Sequence, residues 1–172
     1  FQNLGALSSA QSADEYAGPF DEARRGFVLA EGAGVLLLEN EEGLAQTCHR
    51  PLARLLGWAC SSDAYHLTAP EPQGAQAARC LSQALERSGI APAALGYLNA
   101  HGTATPAGDL AEARALRKVF GLGKGPRVSS VKGAIGHALG AAGGIEAVVT
   151  VQALVKKRIP ANQRCAQPLA EI

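Results

Sequence analysis

Two histidines, His101 and His137, are the residues best placed to do chemistry in this chain. Each stands beside glycine, after a short apolar run and before a helical pattern. The first lies in Asn99-Ala100-His101-Gly102-Thr103-Ala104-Thr105-Pro106-Ala107-Gly108-Asp109. The second lies in Val128-Ser129-Ser130-Val131-Lys132-Gly133-Ala134-Ile135-Gly136-His137, followed by Ala138-Leu139-Gly140-Ala141-Ala142-Gly143-Gly144. Open α/β folds place ligands at the loops that leave strands and enter helices. In a parallel sheet the ends of both strands open on one edge, so two histidines remote in sequence could converge there. A neutral imidazole can donate one N–H to a developing oxyanion or enolate. The positive end of a helix starting after Gly140 would disfavour protonation of a nearby His137.

Lys132 precedes the second histidine within the same loop, and Glu146 follows inside an apolar helical run. A buried glutamate needs a partner, and Lys132 is the obvious one; the alternative is that Glu146 faces water. Thr103 and Thr105 offer hydroxyls to a polar ligand tail, or satisfy their own turn. Asp109 is placed to cap the following helix, with ordering of the His101 loop as a second role.

The elements that would position these groups follow from periodicity. Residues 1–19 read as loop with a short helix. The runs 27–30 and 35–38, split by Glu31-Gly32-Ala33-Gly34, read as two strands or one bent strand. Residues 39–50 suggest a short helix, 51–60 a strand, and 61–72 a long polar loop of the kind that often borders a site. Apolar spacing predicts helices over 73–88, with Gly89 as C-terminal cap, and over 107–120, with Leu110, Ala113, Leu116, Val119 and Phe120 inward. Strands are expected at 95–100 and 127–131. A helix over 140–157 is apolar on nearly every face and reads as buried in a larger body. Alternating strand and helix argues for an α/β layer with a largely parallel sheet.

Composition bounds the rest. Hydrophobic residues make up 47% and charged residues 18%, which is globular rather than disordered. A net charge of +1 gives no argument for nucleic acid or an anionic membrane, and no uninterrupted apolar run suggests a membrane span. Cys48, Cys60, Cys80 and Cys165 show neither metal-ligand nor disulfide spacing, and a reducing compartment fits them.

Together these segments resemble the β-ketoacyl-acyl-carrier-protein synthases of the elongating, two-histidine type. The two histidine motifs carry the likeness, joined by Arg25-Gly-Phe27-Val-Leu-Ala-Glu31-Gly-Ala-Gly34 and Ser61-Ser-Asp63-Ala-Tyr-His66-x-Thr-Ala-Pro70. His137 argues against the initiating enzymes, which have asparagine there. The resemblance implies a thiolase-like α/β fold, layered α-β-α around a mixed sheet. Mainly the C-terminal half would be present, incomplete at both ends. Residues 1–50 would close the N-terminal half and 51–172 form the truncated C-terminal half. It implies an acyltransferase that condenses an acyl thioester with malonyl-carrier protein in fatty acid biosynthesis. His101 and His137 would hold the enolate, Lys132 would act with Glu146 and Asp109 as supports, and Thr103 and Thr105 would bind the phosphopantetheine arm.

No cofactor of its own and no metal are implied; the phosphopantetheine belongs to the acyl carrier protein, the expected partner. A homodimer in the cytoplasm, or in a mitochondrial or plastid matrix, is the family's expectation. None of the four cysteines matches the family's nucleophile, expected before Phe1, and the glycine-rich closing segment is expected after Ile172. The 172-residue chain alone is therefore expected to be inactive. A polyketide ketosynthase and a non-catalytic binding partner are the alternative readings.

Overall fold

The computed structural model describes residues 1–47 and 49–172; Cys48 lies outside the described residues. Among the described residues five helices and two strands follow in order: α1 (Glu41–Thr47), α2 (Ala75–Ser88), β1 (Tyr97–Asn99), α3 (Pro106–Phe120), β2 (Arg127–Ser129), α4 (Lys132–Ile135) and α5 (Ala142–Lys156). Short 3₁₀ turns stand at Gln2–Leu4, Pro92–Ala94 and Leu139–Ala141. β1 and β2 pair in parallel with Tyr97 opposite Arg127 and Asn99 opposite Ser129. Both strands therefore deliver their following loops to the same edge.

Local chemistry sets the helix ends. Thr105 is extended, and its side chain accepts from Gly108 N, while Pro106 occupies the first helical turn of α3, where its missing N–H costs nothing. Gly89, left-handed at φ 68°, stops α2. α2 packs on α3, and α3 turns Ala111, Ala113, Ala115 and Leu116 inward. Small side chains there let the helices approach closely.

Several expectations fail. Residues 27–38 and 51–60 form no strands; the first carries only isolated bridges, Leu7 with Phe27 and Leu29 with His137. Cys60 therefore does not end a strand. A strand exists only through pairing, and these runs find no ladder among the described residues. Val35 and Leu37 are 85% and 79% exposed as a result. The last long helix is not enclosed either: of α5, only Ala142 is buried. The stretch Leu139–Lys156 has a mean hydropathy of 1.3, apolar and long enough to cross a membrane, contrary to the sequence reading. Its first turn is 3₁₀, however, and its Glu146 is paired with Lys132 beside the sheet. An ion pair to a sheet-edge loop fits a helix packed on a sheet.

Candidate active site

The two strand-end loops meet. The His101 and His137 rings lie edge to face, with centroids 5.5 Å apart and planes at 85°. They are close enough to address one ligand oxygen together.

The His101 loop is held by two carboxylates of α3. Glu112 accepts from His101 N at 2.8 Å and from Gly102 N at 2.7 Å. Asp109, fully buried, accepts from Thr103 N at 2.9 Å and Ala104 N at 3.1 Å through one oxygen. Its other oxygen takes Phe20 N at 2.7 Å and faces Arg24 Nε at 3.4 Å. Burial raises the pKa of both carboxyls, opposed at Asp109 by these backbone donors and Arg24, and at Glu112 by its own two donors. Arg24 also donates to the carbonyls of Asp21, Thr105 and Pro106, tying the segment after Pro19 to this loop. Gly102 adopts φ +33°, and a Cβ there would stand 2.6 Å from Ser130 Cβ, so glycine alone lets the loops touch.

The second loop supplies Lys132, 1% exposed. Its ammonium donates to His101 O at 2.5 Å and pairs with Glu146 Oε1. Ser130 Oγ donates to Gly102 O at 2.7 Å and accepts from Lys132 N at 3.2 Å. His137 is fixed mainly through its backbone: its N–H donates to Val28 O at 2.8 Å and its carbonyl accepts from Ala30 N at 3.1 Å. Phe27 meets its ring edge on, at 4.9 Å. Leu139 N donates to His137 Nδ1 at 3.2 Å, so Nδ1 is the bare nitrogen and Nε2 carries the proton. His137 is thereby an N–H donor in its neutral form.

Both imidazoles resist protonation. His101 remains partly open to solvent, yet surrounding protein, then the Lys132 ammonium and His137, hold its pKa down to about 4 from the ordinary 6.5. Burial and then Lys132 lower that of His137. The nearby cation thus adds to burial at both rings.

Thr103 and Thr105 share a hydroxyl–hydroxyl bond of 2.9 Å, and Thr105 also caps α3, so both hydroxyls already hold partners. The polar loop 61–72 bonds to itself and to α2, through Asp63 with Glu71 N and Ser61 with Gln76 O, rather than to the histidines. A cleft of about 440 Å³, lined chiefly by residues 10–13, 28–30 and 132–136, contains neither histidine. The histidine pair sits instead on an open face. Among the described residues no group of three His, Cys, Asp or Glu could hold a metal ion. Cys60 is exposed, Cys80 bonds to Ala59 O, and burial raises the pKa of Cys165.

Sequence reasoning missed Glu112, Arg24, Ser130 and Asn99. Glu112 stands on the same helix as Asp109. Its position three residues after Asp109 was the available signal, because residues three apart share a helix face.

The chain is similar to known proteins over nearly its whole length. Residues 52–166 match the family model of the β-ketoacyl synthase C-terminal domain, and residues 1–43 that of the N-terminal domain. The chain is 43% identical over 151 residues to 3-oxoacyl-[acyl-carrier-protein] synthase 2 of Synechocystis sp., covering 87% of this chain and 36% of that protein. It is 40% identical to the synthase 2 of Staphylococcus aureus, covering 98% and 42%. A type II polyketide ketosynthase, solved with its acyl-carrier protein and bound to the hexaketide, superposes with a TM-score of 0.92 at 36% identity, covering 99% of this chain and 43% of that one. A β-ketoacyl synthase from Burkholderia phymatum gives 0.79 at 31% identity, covering 100% and 43%. The chain thus spans about two fifths of the length of the curated relatives it matches.

Proposed function

This chain belongs to the β-ketoacyl synthase family, and from that premise we propose that it supplies the two-histidine part of the condensing site of a 3-oxoacyl-acyl-carrier-protein synthase. The thiolase-like α/β fold of its ketosynthase neighbours goes with that membership. The carrying observation is the edge-to-face meeting of the two imidazoles, with ring centroids 5.5 Å apart; burial and then Lys132 lower the pKa of both, which favours the neutral N–H donor.

The reaction follows from that pair. In a malonyl thioester the bond to the carboxylate breaks, carbon dioxide leaves, and the electron pair enters an enolate. Its oxygen accepts N–H bonds from His101 and His137. Donors fixed in advance stabilise such charge without reorganising. The enolate carbon then attacks an acyl thioester carbonyl and expels the thiolate of a cysteine outside this chain. The product is a 3-oxoacyl thioester on its carrier. Lys132, held by Glu146, fixes the His101 carbonyl, and Asp109 fixes the rest of that loop. Thr103 and Thr105 would add a bond to the phosphopantetheine arm with their remaining lone pairs.

Residues 1–50 would belong to the N-terminal half and 51–172 to the C-terminal half, a division in keeping with the two family matches. The partner would be an acyl carrier protein, which would bring the only phosphopantetheine needed; the enzyme would be a cytoplasmic homodimer in fatty acid elongation. A polyketide ketosynthase is the second reading, favoured by the 0.92 TM-score to one such enzyme. In the intact synthase, His101→Ala or His137→Ala is expected to lower malonyl decarboxylation by about 10²–10³-fold, with acylation of the cysteine largely retained. Normal decarboxylation in both variants would sink the two-donor reading. Turnover by the 172-residue chain alone would overturn its expected inactivity.

A further inference from the structure

Asn99 ends β1, two residues before His101, and its side chain leaves the sheet for α5. Nδ2 donates to Glu146 O at 3.0 Å and to Thr150 Oγ1 at 3.0 Å. Thr150 Oγ1 in turn donates to Glu146 O at 2.8 Å. The amide orientation is fixed by this pattern: a carbonyl oxygen can only accept, so nitrogen must face Glu146. Glu146 then reaches Lys132 with its carboxylate, and Lys132 reaches His101 O. The contacts close a ring, from Asn99 through α5, Lys132 and His101 back along the backbone to Asn99.

The other polar atom of this amide is treated differently. Asn99 Oδ1 is buried without a hydrogen-bond partner among the described residues. An unpaired buried acceptor carries a desolvation cost. Asn99 therefore contributes less to stability than its two good contacts suggest, and the use of the residue lies in what its nitrogen holds. What it holds is the turn of α5 that carries Glu146. Beside it, Gly144 and Ile145 pack closely on Gly34, and of α5 only Ala142 is buried outright.

We propose that Asn99 is a positioning residue that sets the Glu146 carboxylate on Lys132 and so keeps Lys132 on the His101 carbonyl. The proposal rests on the reading of His101 as an enolate donor, and deepens it. Without Asn99 the Glu146 turn shifts on the sheet, the ammonium loses its fixed counter-ion, and the His101 carbonyl loses its clamp. The first consequence is reduced decarboxylation. The second is an exposed, more reactive Lys132.

The test compares Asn99→Ala, Thr150→Val, Glu146→Gln and the double variant Asn99→Ala/Glu146→Gln in the intact synthase, with His101→Ala as control. Asn99→Ala is expected to lower kcat for malonyl decarboxylation at least tenfold, with KM and cysteine acylation nearly unchanged. Thr150→Val, the milder variant, is expected to give a smaller loss of the same kind. In the Glu146→Gln background, Asn99→Ala should cost nothing further, because both act through one contact. Amine-selective acylation, located by peptide mapping, should label Lys132 several-fold faster in Asn99→Ala than in wild type. Independent, multiplying losses, or unchanged Lys132 labelling, would overturn the proposal. Full decarboxylation in His101→Ala would instead remove the functional reading, while the labelling result would still decide whether Asn99 sets the ion pair.

Discussion

The two histidine loops reach the same place by different means. The His101 loop is gripped from its own following helix: Asp109 and Glu112 of α3 bind four of its consecutive backbone N–H groups between them, from His101 to Ala104. The His137 loop makes no such local arrangement. It borrows two backbone bonds from Val28 and Ala30, far away in sequence, and leans its ring on Phe27. One histidine is held by buried charge close in sequence, the other by pairing across the fold. The first should be sensitive to single carboxylates, and the second to the packing of a distant segment.

The largest test of that contrast is Asp109→Ala. It would strand Phe20 N, Thr103 N and Ala104 N in the interior and leave the Arg24 guanidinium with carbonyl acceptors but without this counter-ion. Removing one partner of a buried charged pair costs about 3–5 kcal/mol, to be read by urea unfolding of the intact protein. A cost below about 1 kcal/mol would mean that the loop does not depend on this carboxylate. Glu112→Ala ranks next. Hydrogen bonds to a charged group contribute about 1.5–3 kcal/mol, but burial already raises the Glu112 pKa, so desolvation offsets part of the gain. A loss of about 2 kcal/mol is expected.

A gentler probe is pH. His101 has its pKa lowered from 6.5 to about 4, so the unfolded chain binds this proton first. Its contribution to stability is full above about pH 6.5 and is lost as the pH falls toward 4. Stability that stays flat across this window in wild type, after comparison with His101→Gln, would contradict the depressed pKa.

The difference between the loops also explains what could be read from the sequence. The alternation of strand and helix, the cap at Gly89, and the parallel pairing that sends both histidines to one edge are local or periodic signals; the cap expected of Asp109 is made instead by Thr105, while Asp109 orders the His101 loop. Lys132 and Glu146 were recognisable because a glutamate in an apolar helix demands a cation. Arg24, Ser130 and Asn99 act across the fold, where no spacing announces them. The unformed strands at 27–38 and 51–60 have a related cause. Their apolar composition is a strand signal, but the partners that would complete the ladder are not supplied by the described residues of a chain two fifths the length of its relatives.

The smallest expected effect isolates the second loop. Phe27→Leu keeps an apolar side chain beneath His137 while removing the edge-to-face contact at 4.9 Å. An aromatic pair of this kind adds about 0.5–1.5 kcal/mol beyond area burial, so the stability change should be near 1 kcal/mol. The site-specific readout is the NMR titration of the two imidazoles. Because burial is the main cause of the lowered His137 pKa, loosening the packing should let it rise toward 6.5. His101 draws its depression first from its own burial, then from Lys132, and least from His137, so its midpoint should not rise along with that of His137. Equal movement of both midpoints would mean that the loops share one support, and the contrast between local charge and distant pairing would fail.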